Sequence, residues 1–364
     1  MKKILILIPR MGGGGAERVV SILANKFSDN YSIQVTTLVS EKTFYKLNDK
    51  IKFTSAKIDI NRTNKITRLV SMGKSFIRSI LFTRKTVNEY KPDIVFSLLE
   101  EMDIVTYLAT RRTHGFKWIC SERNDPNRRN KKLQWLLEKI YRKCDMLVCQ
   151  SHRVADYYSM VKNKCIIPNP VDFNEYPSRE EESYPPRIVA VGRLVPQKNF
   201  AMLIEAFSCI TQKFPSVTLT IYGEGPERKY LEKLIVDKKM QNKINLYGAS
   251  NRVLENISNA AVFAFPTNYE GFPNVLVEAV AMGIPVISTD FATGIARDII
   301  DDNVGVLVPC GDLNAFTKAL SDLLSNDKCR EHIRKVSHKA VERFAVEKVI
   351  IVWEKLFKRL LEVR

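Results

Sequence analysis

Short apolar runs alternate along this chain with longer segments whose apolar residues recur every three or four positions. That alternation predicts strands and helices in turn. Lys3–Ile8 is an apolar run ending in a glycine cluster, and Ala16–Phe27 puts Val19, Val20, Leu23 and Phe27 on one helical face. Ile33–Val39, Asp93–Leu98, Trp118–Cys120 and Met146–Gln150 read as further buried strands. The pattern restarts after a proline-rich interruption. Ile188–Val191 and Val217–Tyr222 are strands on either side of a helix at Phe200–Phe214, and Val262–Phe265 and Pro285–Ser288 are buried strands after them. Fully apolar strands between helices predict parallel sheets wound by right-handed crossovers. The fold class is therefore α/β: two doubly wound domains, residues 1–170 and 171–346, facing a cleft. A linker is expected at 171–186, between Pro168-Asn169-Pro170 and Pro185-Pro186, with the polar, acidic stretch Ser178–Ser183 inside it. The last segment, 347–364, carries an apolar stripe of Val349, Ile350, Val352, Trp353, Leu356, Phe357 and Leu360, and is expected to cross the domain junction.

Length agrees with two domains: 364 residues are too many for one ordinary core. No run of 18 apolar residues is present, so no spanning helix is expected. The opening Met-Lys-Lys and its five-residue apolar run lack a small-residue cleavage site and read as a first strand rather than a signal peptide. Seven scattered cysteines with no Cys-x-x-Cys pair suit reduced, buried thiols and give no zinc site.

Charge changes the picture more. The formal net charge is +17, and it is uneven. Residues 1–172 hold 32 Lys and Arg against 16 Asp and Glu, while the rest of the chain holds 25 against 24. A strongly basic half beside a neutral one implies an anionic partner for the first half: membrane lipid, nucleic acid or a phosphorylated substrate.

Three segments carry chemistry. Gly12-Gly13-Gly14-Gly15 follows the first strand and opens a helix, where free backbone N–H groups and the helix dipole suit an anion; the alternative is a tight strand-to-helix turn. Glu17 and Arg18 break the Gly-x-Gly-x-x-Gly spacing, which disfavours a nicotinamide dehydrogenase. Arg193 and Lys198, five residues apart after the strand 188–191, can converge on one diphosphate, or be solvated loop cations. Glu270 and Glu278 lie eight residues apart, one in the turn before a helix and one inside it. Carboxylates suit sugar and ribose hydroxyls, and the turn 271–275 presents amides at a helix start. Ordinary surface glutamates are the alternative, against which the apolar flanks of Glu278 argue.

Here the sequence resembles a known family. Glu270 and Glu278 match the Glu-x7-Glu motif of the retaining nucleotide-sugar glycosyltransferases of family 4, which have the GT-B fold of two Rossmann-like domains. Glu270-Gly271-Phe272-Pro273, Met282-Gly283, Gly192-Arg193-Leu194, Lys198-Asn199, Gly223-Glu224-Gly225-Pro226, Val304-Gly305 and Gly13-Gly14-Gly15-Ala16-Glu17-Arg18 follow the family in order along nearly the whole chain. The opening Gly-Gly-Gly-Ala-Glu-Arg together with Ser121-Glu122-Arg123-Asn124 resembles bacterial enzymes that build O-antigen, capsule and lipid-linked glycans.

The resemblance implies the following roles. Arg193 and Lys198 neutralise the leaving nucleoside diphosphate, and Glu278 accepts from the ribose. Glu270, Gly271 and the amides of Phe272, Asn274 and Val275 hold the transferred sugar. Gly14 and Gly15 approach the diphosphate from across the cleft. No metal or other cofactor is needed. The helix at 347–364 packs back on the first, acceptor-binding domain, while residues 171–346 bind the donor. Many relatives keep an acceptor-side histidine after a first-domain strand; here those loops read Leu99–Asp103 and Ser121–Asn124, leaving Asp103 and Glu122 as candidates to orient the acceptor hydroxyl. Asp298, after Thr293-Gly294, is expected to be structural.

The donor implied is a UDP-linked hexose or N-acetylhexosamine, and the acceptor a lipid-linked glycan. Residues 62–91 carry eight Lys or Arg and only Glu89, and residues 128–143 carry seven against Glu138, both interleaved with large apolar residues. Basic amphipathic helices of this kind predict a peripheral enzyme on the anionic, cytoplasmic face of the plasma membrane. A nucleic-acid binder would share the charge, but no recognition motif accompanies it, and no nucleic acid is expected as partner. A GT-B epimerase or phosphorylase is the other alternative.

Overall fold

The computed structural model describes residues 1–40, 42–58, 65–177, 185–301 and 303–362, with 65–71 and 175 described by backbone only. The chain divides into two compact units, Met1–Pro170 with Val346–Arg364, and Val171–Ala345.

The first unit has seven strands: β1 Lys3–Ile8, β2 Ser32–Thr37, β3 Lys52–Ser55, β4 Ile94–Leu98, β5 Lys117–Ser121, β6 Met146–Cys149 and β7 Lys164–Ile166. They lie in the order β3-β2-β1-β4-β5-β6-β7, every pairing parallel. Its helices are α1 Gly15–Phe27, α2 Lys65–Tyr90, α3 Glu100–Thr110, α4 Lys131–Tyr141 and α5 His152–Tyr157. The second unit has β8 Arg187–Val191, β9 Thr218–Tyr222, β10 Ile244–Gly248, β11 Val262–Phe265, β12 Val286–Thr289 and β13 Gly305–Val308, in the order β10-β9-β8-β11-β12-β13 and again all parallel. Around them run α6 Phe200–Ile210, α7 Arg228–Asp237, α8 Val253–Ile257, α9 Asn274–Ala281, α10 Ile295–Ile299, α11 Leu313–Ser325 and α12 Asp327–Val341.

Both sheets are doubly wound, as the strand pattern predicts. In each, the order reverses beside the first strand, between β1 and β4 and between β8 and β11. Ligands of open α/β sheets bind outside the carboxyl ends of the strands at such a reversal. Of the segments singled out by sequence, the glycine cluster and residues 99–103 follow β1 and β4, and Gly192–Lys198 and Glu270 follow β8 and β11.

The final helix, α13 Val346–Glu362, belongs to the first unit. Its stripe of Val349, Trp353, Leu356, Phe357 and Leu360 joins the core formed by Ile4, Ile6, Phe27 and Phe96 on one face of the sheet. The Trp353 ring sits 4.9 Å from Phe96, and Phe357 sits 5.1 Å from Phe27.

Residues 171–177, expected to belong to a linker, are built into the second unit. Val171 N–H donates to Phe344 O at 2.8 Å, and Phe173 and Tyr176 pack on the core around Phe263 and Phe344. Apolar anchors at both places outweigh the turn signals of the prolines. The stretch Ser178–Ser183 lies outside the described residues. The segment Leu99–Asp103, expected to be a loop, begins α3, and Leu99 takes φ 73° as the residue before it.

Candidate active site

In the second unit, β8 runs out at Gly192 and the chain turns back through a short helical turn at Pro196–Lys198. That return is held in place by a second loop, the one after β11. Asn268 N–H donates to Gln197 O at 2.8 Å, and Gln197 Nε2 to Tyr269 O at 2.8 Å. The two loops at the sheet's reversal are thus one hydrogen-bonded body, and it carries Lys198 and Glu270 on facing segments. Lys198 Nζ lies 2.5 Å from Glu270 Oε1, with side chains 14% and 10% exposed. Thr267 Oγ1 adds a bond to the same oxygen at 2.8 Å, and the ammonium stands 4.8 Å over the Phe265 ring. The other cation differs. Arg193 is exposed, with no hydrogen-bond or ion-pair partner among the described residues.

The glycine-rich return at 223–226 explains itself by close packing. Gly223 has φ 145°, and a Cβ there would run into Gly192 O. Leu194 N–H donates to Glu224 O at 3.0 Å, tying the return to the diphosphate-candidate loop as a buttress.

Glu270 precedes a turn that ends at Pro273 and starts α9. The Gly271 and Phe272 amides donate to no acceptor among the described residues, whereas Asn274 N–H is bonded to Phe272 O at 3.1 Å. Of the turn amides expected to hold a sugar, Asn274 is therefore already engaged. Val275 is the second residue of α9, and its N–H is one of the four that a helix leaves without an internal partner. Glu278, on α9, is buried at 5% exposure. Free N–H groups, a helix start, an exposed guanidinium and the Lys198–Glu270 pair gather on the loops after β8 and β11 and can receive an anion with hydroxyl groups attached.

In the first unit, β1 leads into the glycine cluster, and Gly14 precedes α1 with φ −85°. No glycine there takes a positive φ. A Cβ on Gly14 would meet the carboxylate of Glu17, the movable end of a side chain that folds back over the loop. The amides of Gly12, Gly13 and Gly14 donate to no acceptor among the described residues. Phe44 N–H donates to Met11 O at 2.9 Å and Tyr45 OH to Gly13 O at 3.2 Å, fixing a second loop against the first. In the sequence Glu17 breaks a dinucleotide spacing and belongs to the motif Gly13-Gly14-Gly15-Ala16-Glu17-Arg18, but that context gives it no site role.

Asp103 and Glu122, expected to orient an acceptor hydroxyl, lie elsewhere, in a buried network. Asp103 is 0% exposed and accepts from Ser97 Oγ at 2.5 Å and Tyr141 OH at 3.2 Å. Burial pushes its carboxyl well above the usual range, and the Ser97 bond offsets only part of that. Glu122, 2% exposed, takes both forks of Arg129 at 2.5 and 2.6 Å and Tyr158 OH at 2.5 Å. Asn124 N–H donates to Glu122 Oε1 as well, at 3.0 Å, so all four lone pairs of that carboxylate are committed, and Asp103 is closed off from any ligand by burial; both residues support the fold of the segments after β4 and β5. Arg129, counted from sequence in the basic face of 128–143, is drawn inside as well, with its side chain 5% exposed. Asp298 lies in α10, where its backbone carbonyl accepts from Arg343.

Comparison with known proteins agrees with both halves. The model for Glycosyltransferase Family 4 matches residues 13–175, and that for Glycosyl transferases group 1 matches residues 172–340. A curated relative from Campylobacter jejuni is 27% identical over 360 residues, covering 98% of each chain. It is the GalNAc-alpha-(1->4)-GalNAc-alpha-(1->3)-diNAcBac-PP-undecaprenol alpha-1,4-N-acetyl-D-galactosaminyltransferase. Among solved structures, sucrose-phosphate synthase from Thermosynechococcus elongatus superposes with a TM-score of 0.83 at 17% identity over 100% of both chains. HepE of Anabaena, in complex with UDP, superposes at 0.77 with 16% identity, over 98% of this chain and 100% of its own.

Proposed function

From the premise that this chain belongs to the family 4, group 1 glycosyltransferases, with the GT-B fold, we propose that it is a retaining enzyme using a UDP-linked hexose or N-acetylhexosamine. The acceptor is a lipid-linked glycan at the cytoplasmic face of a bacterial membrane, and the product feeds surface polysaccharide synthesis. The observation that carries the donor half is the joined pair of loops after β8 and β11, which collects Arg193, Lys198, Glu270 and the free amides of Gly271 and Phe272 in the second unit. When the glycosidic bond to the diphosphate breaks, negative charge grows on the leaving phosphate. Cations fixed at that point stabilise the transition state more than the ground state. Arg193 supplies a planar fork with no partner to give up among the described residues, and Lys198 a point charge released from Glu270. Glu278 accepts from the ribose hydroxyls; Glu270 and the turn amides of Gly271, Phe272 and Val275 hold the sugar, with the side of Asn274 beside them. Gly14, read from sequence with Gly15 as a diphosphate ligand, lies beside the Glu17 carboxylate in the first unit, and like charge disfavours a phosphate there.

The acceptor class is supported by the undecaprenyl diphosphate glycan in the relative's name and by the surface of the first unit. None of the described helices is long and apolar enough to cross a membrane. Instead, α2 exposes Met72, Phe76, Ile77 and Leu81 among basic residues, and α4 exposes Trp135 and Leu136. Such a surface suits an anionic bilayer.

The test is a thermal-shift screen of nucleotide sugars followed by transfer to a sugar-capped undecaprenyl diphosphate, with the anomeric configuration of the product read by NMR. A ligand that binds only the native state raises its melting temperature. Stabilisation by a UDP-sugar that Glu278→Gln abolishes, and a product with the donor's configuration, are expected. Inverted configuration, or transfer only to soluble sugars, would refute the respective part.

A further inference from the structure

We infer that Glu17 holds hydroxyl groups of the acceptor's terminal sugar, with the ring of Phe44 as the platform beneath that sugar. The inference rests on the acceptor reading above and assigns its sugar-binding residues. Glu17 lies in the first turn of α1 and is 8% exposed. Its carboxylate carbon would stand 3.1 Å from a Cβ on Gly14, and Oε1 4.0 Å from one on Gly12. It has no hydrogen-bond or ion-pair partner among the described residues. This sets it apart from the other carboxylates at the carboxyl end of the same sheet. Asp103 is engaged by Ser97 and Tyr141, Glu122 by Arg129 and Tyr158, and Glu100 by Arg129 at 2.5 Å. A carboxylate at the positive end of α1 that has no protein donor among the described residues is open to a ligand bringing O–H donors.

What surrounds Glu17 narrows the ligand. The unpaired N–H groups of Gly12, Gly13 and Gly14 offer donors beside the lone acceptor. A hydroxyl group both donates and accepts, so it satisfies the two at once. A phosphate would bring charge of the same sign as the carboxylate against it. Phe44 is 71% exposed, yet its ring lies 3.6 Å from where a Cβ on Gly13 would stand. The bonds from Phe44 N–H to Met11 O and from Tyr45 OH to Gly13 O hold it there. An exposed aromatic face pinned beside an acceptor–donor cluster fits a neutral pyranose, whose C–H face is apolar and whose edge carries hydroxyls.

The experiment uses the full chain with UDP-N-acetylgalactosamine and a sugar-capped undecaprenyl diphosphate, and compares wild type, Glu17→Gln, Phe44→Ala and Phe44→Trp. A hydrogen bond to a charged group is worth roughly a tenfold to hundredfold factor in binding. Glu17→Gln should therefore raise the acceptor KM about tenfold or more, with the calorimetric Kd for UDP and the melting temperature unchanged. Phe44→Ala should raise the acceptor KM and Phe44→Trp should restore it. An unaltered acceptor KM in Glu17→Gln overturns the inference. So does tighter UDP binding in that variant, which would make Glu17 a screen against phosphate, and so does a kinetic loss that merely follows a fall in melting temperature, which would make it a helix cap. Wild type that binds UDP but transfers to no lipid diphosphate overturns the acceptor reading itself, and the inference with it.

Discussion

Lys198 and Glu270, 72 residues apart in sequence, form an ion pair of 2.5 Å between the loops after β8 and β11. The lysine assigned to the leaving group is thus balanced by the glutamate assigned to the sugar. A diphosphate arriving at Lys198 competes with that carboxylate, while Arg193 meets it without competition. The three side chains should consequently separate in experiment. Lys198→Ala leaves a largely buried carboxylate unpaired and should lower stability by on the order of 3 kcal/mol, besides slowing transfer by roughly 100-fold or more. Arg193→Ala should slow transfer comparably and leave the melting temperature alone. Glu270→Gln should slow transfer while UDP binds at least as tightly as to wild type. Calorimetry with UDP, melting curves and turnover together check the set; weaker UDP binding in Glu270→Gln would show that the pair is not in competition with the ligand.

Asp103 gives a pH prediction whose sign follows from burial. The folded chain holds this carboxyl protonated above its ordinary range, whereas the unfolded chain releases the proton near pH 4. Stability from this group is complete below that pH and declines as pH rises, by at most ~1.4 kcal/mol per pH unit, until the raised folded value is passed. Asp103→Asn removes the titration but keeps an oxygen for Ser97, and the Tyr141 hydroxyl can turn to accept from the new amide. The variant should melt at nearly constant temperature from pH 4 to 8 while wild type loses stability relative to it. Parallel melting curves across that range would show that Asp103 is ionised in the fold.

Much of this was legible in the sequence, for reasons that the exceptions make plain. Strands such as β1 and β11, apolar at every position, are buried on both faces and announce themselves. Lys52–Ser55, Lys164–Ile166, Ile244–Gly248 and Gly305–Val308 alternate or are only half-buried edge strands, and their short runs give no periodic signal. For the candidate site, motif spacing singled out Arg193, Lys198, Glu270 and Glu278, because it depends on short stretches of chain. Sequence could not say that Lys198 and Glu270 pair, that Asn274 N–H is taken, or that Arg129 turns inward to Glu122. Each depends on contacts between segments distant in sequence. Glu17 was hidden for the opposite reason: its neighbours are local, but only the fold of the loop shows that its carboxylate has no partner among the described residues.

Trp353 ties α13 to the first unit. It is fully buried against Phe96 and Phe357, so Trp353→Ala should cost about 3–5 kcal/mol through lost burial and the cavity left behind. Hydrogen exchange locates the damage. Protection should fall at residues 3–8 and 94–98, whose strands share that core, and hold in β8 and β11. Equal loss in both units would mean that α13 supports the second as much as the first.

The membrane surface can be tested more sharply than sequence allowed. Of the eight basic residues in 62–91, Arg62 lies outside the described residues, as do the side chains of Lys65 and Arg68 and of the apolar Ile66, Leu69 and Val70. Arg84 donates to Ala109 O at 3.0 Å and Leu108 O at 3.3 Å, where it closes the end of α3, and Lys85 pairs with Glu89 at 3.7 Å. Lys74 and Arg78 remain exposed on either side of Phe76 and Ile77, which are 43% and 58% exposed. On α4, Trp135 is 58% exposed beneath Lys139, whose ammonium stands 3.5 Å over its ring. A cation near an anionic leaflet contributes about 1 kcal/mol, and the field reaches only about a Debye length. Reversing Lys74 and Arg78 to Glu should therefore reduce sedimentation with anionic vesicles by at least about tenfold. The effect should shrink as salt rises and vanish on neutral vesicles. Phe76→Ser with Ile77→Ser should weaken binding at every salt concentration, because apolar insertion is not screened. Arg84→Glu, in contrast, should lower the melting temperature by disturbing α3. Unchanged vesicle binding in both double variants would move the docking face off α2 and leave α4, with Trp135 and Leu136, to be tested in the same way.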